Sequence, residues 1–390
     1  MPTITLPKKI SFFLFISFLA ALAAYAVPPR VASQIALSQP LTIRWRYDSN
    51  LTLNLTPAFD EERIYLPLAG GRIVSLTARD GQLNWKAEMG GELSASPVAD
   101  ERAVYVASET GPEGGPESGV RRATGTLRAL GRDGGVTQWM RTLEKPVQGS
   151  LSIHGKNLFA GGSDGRFYAF DKGTGDVVWT TNYGGRFNCI PVISNLKVYA
   201  GNDDGNLIAI DETTGKLLWR YRTTGPVRGP VAVANDVVYF GSGDGYLYAV
   251  KAVDGHLLWR KRTGAGVEAV ALVDNALLVA SLDNFVYRYS LNGGRVWKRQ
   301  LPGRISAQPL TSEDGALFTP LSSPAGVVLA LRDGRQVNSL PTGEEITTSA
   351  SPIAVGDAVL LTTEHGLLAF AQPKESPKAI TSAPLRFLFR

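Results

Sequence analysis

A nineteen-residue pattern recurs three times at a spacing of forty residues and constrains the fold more than any other feature. Its copies read GGSDGRFYAFDKGTGDVVW, GNDDGNLIAIDETTGKLLW and GSGDGYLYAVKAVDGHLLW, and they end at Trp179, Trp219 and Trp259. Each copy contains short apolar runs separated by glycine-containing turns, which is typical of antiparallel strands. Near-copies at a fixed period predict a repeat protein in which successive units pack against one another.

Tryptophan and glycine positions extend this period over most of the chain. The tryptophans are Trp45, Trp85, Trp139, Trp179, Trp219, Trp259 and Trp297, with gaps of 40, 54, 40, 40, 40 and 38 residues. Asn338 follows as a degenerate eighth member. A glycine precedes each of the last seven members by four residues, as at Gly175, Gly215 and Gly255, and supplies a turn residue that tolerates positive φ.

The glycine-containing turns of each repeat separate three strands, and a fourth strand precedes these three. The eight sets of first to third strands begin at residues 57, 97, 150, 191, 230, 270, 309 and 352, and six of them begin with proline, which is tolerated at the start of a strand. Four short strands per forty residues predict a β-propeller blade. A parallel solenoid is the alternative, although solenoid repeats are usually shorter.

The strand count predicts how the ring closes. We call the strand that contains the repeated tryptophan a Trp-type strand. One such strand, Leu41–Tyr47, precedes the first set, and the last set, Pro352–Phe370, has no Trp-type strand after it. If the first strand completes the last blade, the ring has no open edge at its ends. We therefore predict an all-β, eight-bladed propeller of four-stranded antiparallel blades over residues 41–370, closed by the N-terminal strand.

The two ends of the chain fall outside the repeat. Residues 1–26 contain two lysines, an apolar run and the small-x-small site Ala24-Tyr25-Ala26, a pattern typical of a secretory signal peptide. An uncleaved anchor is the alternative, because Ile10–Val27 is uncharged and nearly long enough to span a membrane. Either reading predicts export to the periplasm or the extracellular side of the envelope. We assign residues 27–40 to an N-terminal linker and residues 371–390 to a C-terminal tail.

One insertion interrupts the repeat in the second unit. The stretch 108–124 contains four glycines and two prolines, with Arg121 and Arg122 near its end. Its composition predicts a mobile loop between the second and third strands of that unit.

Composition and motif content argue against several classes of function. The chain has 40 Lys and Arg against 35 Asp and Glu, too small a surplus to indicate a nucleic-acid partner. The acids Asp203, Asp204 and Asp244 are too few at each turn for a calcium loop, and the three histidines are far apart. Cys189 is the only cysteine, which excludes an internal disulfide, and we expect a half-buried small hydrophobe rather than a nucleophile. No catalytic residue, metal site or cofactor site is predicted.

The repeat also resembles a known motif. Ala209, Asp211, Thr214, Gly215 and Trp219 follow the pattern A-x-D-x-x-T-G-x-x-x-W, which the unit ending at Trp179 repeats. This pattern resembles the pyrroloquinoline-quinone-type propeller repeat over roughly residues 41–370. The resemblance implies that the seven tryptophans, together with turn glycines such as Gly175, Gly215 and Gly255, dock neighbouring blades and are structural.

The resemblance has implications for a cofactor as well. Quinone-dependent dehydrogenases with this repeat are longer, and they carry an adjacent cysteine pair and a Glu, Asn and Asp set for calcium, which this chain does not match. A closer resemblance is to the family of the outer-membrane assembly factor BamB, whose members are exported, eight-bladed and non-catalytic. The departure from that family is the missing lipid-attachment cysteine. The resemblance therefore implies no cofactor.

The remaining candidate is a protein-binding face. We expect the loops from each Trp-type strand to the next blade to lie on the same face as the turns between second and third strands. Their polar and charged residues predict a partner face of mixed charge formed by Gln148, Arg186, Arg228, Glu268 and Arg304, with Glu92 and Glu344 beside it.

These features together predict a non-enzymatic, exported scaffold that binds a protein partner in the cell envelope. We expect a monomer that contacts no nucleic acid and meets a membrane only through an uncleaved anchor. A quinone-dependent dehydrogenase-like enzyme and a propeller that binds or senses a small molecule are the alternative functions.

Overall fold

A computed structural model describes residues 35–49, 51–110 and 123–373. These residues form thirty-four β-strands, numbered β1 to β34 in chain order, which assemble into eight sheets. The described ranges contain no helix, and so none that is long and apolar enough to cross a membrane. The predicted eight-bladed propeller of antiparallel, mostly four-stranded blades is confirmed.

Blades 1 to 3 occupy residues 58–182. Blade 1 contains β2 (Ala58–Phe59), β3 (Arg63–Leu68), β4 (Arg72–Thr77) and β5 (Leu83–Glu88). Blade 2 contains β6 (Glu92–Leu93), β8 (Val98–Ala99), β9 (Ala103–Thr110), β10 (Thr124–Gly131) and β11 (Thr137–Leu143). Blade 3 contains β7 (Ala95–Ser96), β12 (Val147–His154), β13 (Asn157–Gly162), β14 (Arg166–Asp171) and β15 (Val177–Asn182). The insertion joins β9 to β10, and its residues Arg121 and Arg122 lie outside the described residues.

Blades 4 to 6 are the most regular. Blade 4 contains β16 (Val192–Ser194), β17 (Lys197–Gly201), β18 (Asn206–Asp211) and β19 (Leu217–Arg222). Blade 5 contains β20 (Ala232–Ala234), β21 (Val237–Ser242), β22 (Tyr246–Lys251) and β23 (Leu257–Arg262). Blade 6 contains β24 (Val267–Val273), β25 (Ala276–Ser281), β26 (Phe285–Ser290) and β27 (Arg295–Gln300).

Blades 7 and 8 complete the ring. Blade 7 contains β28 (Leu310–Thr311), β29 (Ala316–Phe318), β30 (Ala325–Leu329) and β31 (Gln336–Pro341). Blade 8 contains β32 (Ile353–Val355), β33 (Ala358–Thr363) and β34 (Gly366–Ala371), with β1 (Thr42–Asp48) as its fourth strand. Strand β1 pairs antiparallel with β34, so Trp45 lies opposite Ala369. The predicted closure by the N-terminal strand is therefore confirmed.

The hydrophobic core lies between the blades rather than inside one central layer. One cluster joins Tyr199 and Leu207 of blade 4 to Val238 and Phe240 of blade 5. Each tryptophan indole also donates a hydrogen bond to a backbone carbonyl in the next blade. The donor–acceptor pairs are Trp45–Ala78, Trp85–Arg132, Trp139–Lys172, Trp179–Glu212, Trp219–Ala252, Trp259–Leu291 and Trp297–Leu331, at 2.7–3.2 Å.

The turn glycine of the next blade lies directly against each of these rings. Gly215 has a φ of +69°, and a Cβ at this position would lie 2.6 Å from the ring of Trp179. A Cβ at Gly175 would lie 2.5 Å from Trp139, and one at Gly255 would lie 2.7 Å from Trp219. Glycine is therefore required here both for its backbone conformation and for the close approach of the ring. The predicted docking residues meet at the blade boundaries, and their contribution to stability stays a prediction.

The closing junction differs from the others because residues 35–40 take part in it. The sequence predicts a linker over residues 27–40, whereas Ile35 is 7% exposed and Leu37 is fully buried. The Asn338 side-chain amide donates to the carbonyls of Leu37 and Gln39, at 2.9 and 2.6 Å. The Asp314 carboxylate accepts from the backbone N–H groups of Leu37 and Ser38, at 3.0 and 2.9 Å. Residues 35–40, named the clasp below, therefore belong to the ring.

Candidate interaction face and axial channel

The loops that link successive blades lie against the turns between second and third strands. The backbone N–H of Asp203, in the β17–β18 turn, donates to the carbonyl of Arg186, in the loop entering blade 4, at 2.9 Å. The corresponding bond in blade 7 runs from Leu321 to Arg304 at 2.8 Å. Both loop sets therefore share one face of the ring, which we call the loop face, as the sequence predicts.

The five predicted partner-face residues differ in exposure. Arg186, Arg228 and Arg304 are exposed, whereas Gln148 and Glu268 are half-buried. Gln148 belongs to β12, and Glu268 belongs to β24, so neither lies in a free loop. Of the five, Arg228 and Glu268 line the channel at the ring axis. The three arginines are thus the members of this set best placed to reach a partner.

Arg228 is held by Asp203, one of the turn acids that are too few for a calcium loop. Its Nε lies 2.8 Å from Oδ1 of Asp203, in the neighbouring turn. The same two residues influence Glu268: burial raises the pKa of the Glu268 carboxyl, Arg228 lowers it and Asp203 raises it further. Asp203, Arg228 and Glu268 therefore form one electrostatic cluster at the mouth of the channel. Superposing the repeats would have placed Asp203 beside the Arg228 loop.

The axial channel is narrow, polar and rich in hydroxyl groups. Its volume is about 240 Å³. The lining residues include six serines, namely Ser94, Ser96, Ser150, Ser306, Ser349 and Ser351. Blades 5 and 6 approach closely beside it, because a Cβ at Gly229 would lie 2.0 Å from the carbonyl oxygen of Glu268. The spacing of the repeats predicts the ring but gives no signal for this set of serines.

The channel residues do not fit a quinone cofactor with its calcium ion. Glu268 is the only carboxylate among the residues that line the channel, and no Asp accompanies it to complete the Glu, Asn and Asp set of the quinone enzymes. Cys189 is the only cysteine of the chain and has no neighbour with which to form a disulfide. No step of a quinone reaction is therefore derived for this channel.

Cys189 also lines the channel wall but is buried rather than half-buried, with 3% of its surface exposed. Burial raises the pKa of its thiol to about 12. A thiol with such a pKa carries almost no thiolate at neutral pH, and the thiolate is the reactive form. Its surroundings therefore suit a packing residue, as predicted.

Two of the remaining candidates for metal ligands are engaged in local contacts. Asp244 accepts from the Tyr248 hydroxyl at 2.7 Å and from the Thr224 backbone at 3.2 Å, which fixes a loop to a turn. His154 pairs with Glu212 across the boundary of blades 3 and 4 at 2.5 Å. Within residues 35–49, 51–110 and 123–373, no three His, Cys, Asp or Glu side chains are grouped so that they could hold a metal ion.

The fold and these surfaces define a class of protein: an eight-bladed β-propeller of quinone-type repeats, with a narrow polar channel and a charged loop face. A family model described as outer membrane protein assembly factor BamB matches residues 34–115, 123–228 and 224–384. Because this match covers most of the chain, the protein belongs to that family. The resemblance inferred from the repeat is confirmed.

Individual relatives are distant. BamB of Shewanella oneidensis is 24% identical over 136 residues, which cover 34% of this chain and 30% of that protein. The crystal structure of BamB from Moraxella catarrhalis has a TM-score of 0.69 at 17% identity, covering 87% of this chain and 99% of the other. A quinohemoprotein alcohol dehydrogenase from Comamonas testosteroni has a TM-score of 0.70 at 11% identity, covering 89% and 82%. At these identities the solved structures show a shared fold alone.

Proposed function

We propose that this protein is a non-enzymatic scaffold of the cell envelope that binds a protein partner through the loop face. The observation that carries the proposal is the placement of Arg186 and Arg304, whose exposed side chains lie on that face and in no ion pair among the described residues. Family membership supports the proposal, because the family is described as an outer-membrane assembly factor. Export, which the N-terminal 26 residues predict, is part of the same proposal.

The chemistry of the face favours a protein over a polyanion. The exposed Arg186, Arg228 and Arg304 lie on one side of the face, and the exposed Glu92 and Glu344 lie on the blades beyond them. A face that carries both signs of charge selects a partner with complementary charges and accelerates its association. A partner docked here would also cover the mouth of the axial channel, where Arg228 and Glu268 lie.

The experiment compares charge reversals on and off the loop face. Arg186→Glu combined with Arg304→Glu is expected to weaken capture of the specific envelope partner by about tenfold at low salt, because interface charges affect association and specificity. Crosslinking and affinity capture from envelope preparations would measure recovery against the wild-type protein, with circular dichroism as the folding control. Arg46→Glu combined with Lys86→Glu, on the outer strands of blades 8 and 1, is the matched control.

Two results would contradict the proposal. Equal recovery of every captured protein by the wild type and the loop-face variant would mean that this face binds no partner. Uptake of added pyrroloquinoline quinone, detected as a bound-cofactor absorbance with alcohol oxidation, would instead support the dehydrogenase-like alternative.

A further inference from the structure

Positive charge is concentrated on the outer edge of three successive blades. The outer strands of blades 4, 5 and 6, namely β19, β23 and β27, carry eight cations and no acid. The eight are Arg220, Arg222, Arg260, Lys261, Arg262, Arg295, Lys298 and Arg299. The other five outer strands together carry four cations and two acids. We call the outer edge of blades 4–6 the basic edge.

None of these eight cations forms an ion pair with a carboxylate among the described residues. Four of them make other local contacts: Arg220 donates to the carbonyl of Tyr183 at 2.7 Å, and Arg299 donates to that of Gly334 at 3.1 Å. Arg260 and Lys298 lie over aromatic rings of their own blades, at 4.7 and 3.6 Å. No carboxylate of this part of the protein therefore pairs directly with these cations.

Exposed aliphatic side chains lie among the cations. Leu218 is 42% exposed, Leu258 is 44% exposed and Val296 is 56% exposed, and each directly precedes the tryptophan of its strand. Each of the three is the extra residue of a β-bulge in its own sheet, because it has no paired residue on the neighbouring strand. Each outer strand also ends its sheet, so one row of backbone N–H and C=O groups pairs with no further strand.

Protection against unwanted strand pairing does not account for this charge. Charged side chains on edge strands do hinder edge-to-edge aggregation. However, the outer strands β15 and β31 carry no charged residue at all and occupy the same position in their blades. The ring therefore tolerates uncharged edges, and the eight cations of the basic edge require another explanation.

We infer that the basic edge is a docking surface for an acidic, extended polypeptide of a partner protein. Such a chain offers carboxylates to the cations, apolar side chains to Leu218, Leu258 and Val296, and a backbone that pairs with a free strand edge. The edge is convex, because successive blades turn around the ring, and a flexible chain can follow it. A flat bilayer would meet chiefly one blade. This surface is separate from the loop face and does not depend on the proposed function.

The test uses the purified protein and short fluorescent peptides. One peptide alternates glutamate with valine and threonine, and its counterpart has lysine in place of glutamate. Binding is measured by fluorescence anisotropy at low and physiological salt, because contacts between exposed charges weaken as salt rises. We expect the wild-type protein to bind the glutamate peptide, to release it at higher salt and to ignore the lysine peptide.

The decisive variant reverses the charges of Arg222 and Arg262, which are exposed and whose side chains are in no hydrogen bond or ion pair among the described residues. Arg222→Glu combined with Arg262→Glu should weaken binding of the glutamate peptide by about tenfold, as expected for losing and reversing two exposed charges. Arg46→Glu combined with Lys86→Glu, on the outer strands of blades 8 and 1, should leave binding within about twofold of wild type. Circular dichroism and sedimentation check that both variants stay folded and monodisperse.

Other outcomes would overturn the inference. Equal binding of both peptides, or no binding of the glutamate peptide by the wild type, would exclude recognition of acidic chains. Loss of binding to phosphatidylglycerol vesicles in the variant, with no peptide binding by the wild type, would assign the edge to a lipid surface instead. Aggregation of the variant with unchanged peptide affinity would show that the cations only protect the edge.

Discussion

Two junctions of the ring hold neighbouring blades together with different chemistry. Between blades 4 and 5, Trp219 lies against Gly255 and donates to the carbonyl of Ala252 at 3.0 Å. Between blades 7 and 8, Asn338 occupies the tryptophan position and donates two hydrogen bonds to the clasp. An amide thus replaces the indole, and a segment from the other end of the chain replaces the turn.

The difference follows from how the chain closes. In the regular junctions the turn precedes the fourth strand of the next blade directly. The fourth strand of blade 8 is β1, so the backbone before it, the clasp, takes the place of that turn. At the tryptophan position the regular junction buries an aromatic ring, whereas the closing junction makes hydrogen bonds and buries Leu37 among other apolar side chains. We therefore expect the two junctions to respond differently to truncation and substitution.

The largest effect is expected from removing the clasp together with β1. A protein that begins at Ser49 loses the buried side chains of Leu37, Leu41 and Trp45, each of which contributes about 1.5–3 kcal/mol. It also exposes the edge of β34. We expect the free energy of unfolding to fall by roughly 5 kcal/mol or more, measured by denaturant unfolding against a protein that begins at Ile35. An unchanged midpoint would disprove closure by the N-terminal strand.

An intermediate effect is expected from single substitutions that compare the two junctions. Trp219→Ala should lower the free energy of unfolding by about 3–5 kcal/mol, the usual range for removing a buried aromatic side chain. Asn338→Ala should lower it by about 1–2 kcal/mol, because it removes two hydrogen bonds but little buried surface. Chemical denaturation of both variants measures the contrast. Equal losses would mean that the two positions contribute in the same way.

The smallest effect concerns the pH dependence of the clasp. Burial raises the pKa of the Asp314 carboxyl, but hydrogen bonds from Ser312, Ser38 and Leu37 outweigh it, so the folded-state pKa is below its usual value. A depressed pKa in the folded state stabilises the protein at neutral pH, and this contribution is lost as the pH falls through the folded-state pKa. Wild type should thus be more stable than Asp314→Asn at neutral pH and lose this advantage below about pH 4. Unfolding curves at several pH values measure the difference, which would stay constant if the carboxylate were unimportant.

Much of the ring could be predicted because each unit repeats its own local signals. Trp179, Trp219 and Trp259 are forty residues apart, and the glycines before them fix where the turns fall. The strand count then identified closure by β1, which the pairing of Trp45 with Ala369 confirms. The loop face also followed from strand order, because alternate connections of an antiparallel blade lie on the same side.

The details of the candidate sites were harder to predict. Glu268 was expected in a loop but lies in β24 beside the channel, and Asp203 was not expected to hold Arg228. The clasp was assigned to a linker because its contacts with Asp314 and Asn338 span about three hundred residues of sequence. The basic edge is not evident from the sequence because its cations are spread over three repeats, whose outer strands become neighbours only in the ring.

The sequence by itself determined the strands, the turns, the number of blades and the inclusion of the N-terminal strand in the last blade, because these depend on periodic local preferences. Only the tertiary structure decided which side chains meet at the axis, at the closing junction and along the basic edge. The physical reason is that a ring brings equivalent positions of different repeats side by side. Burial and net charge at those places belong to sets of residues that no single repeat contains.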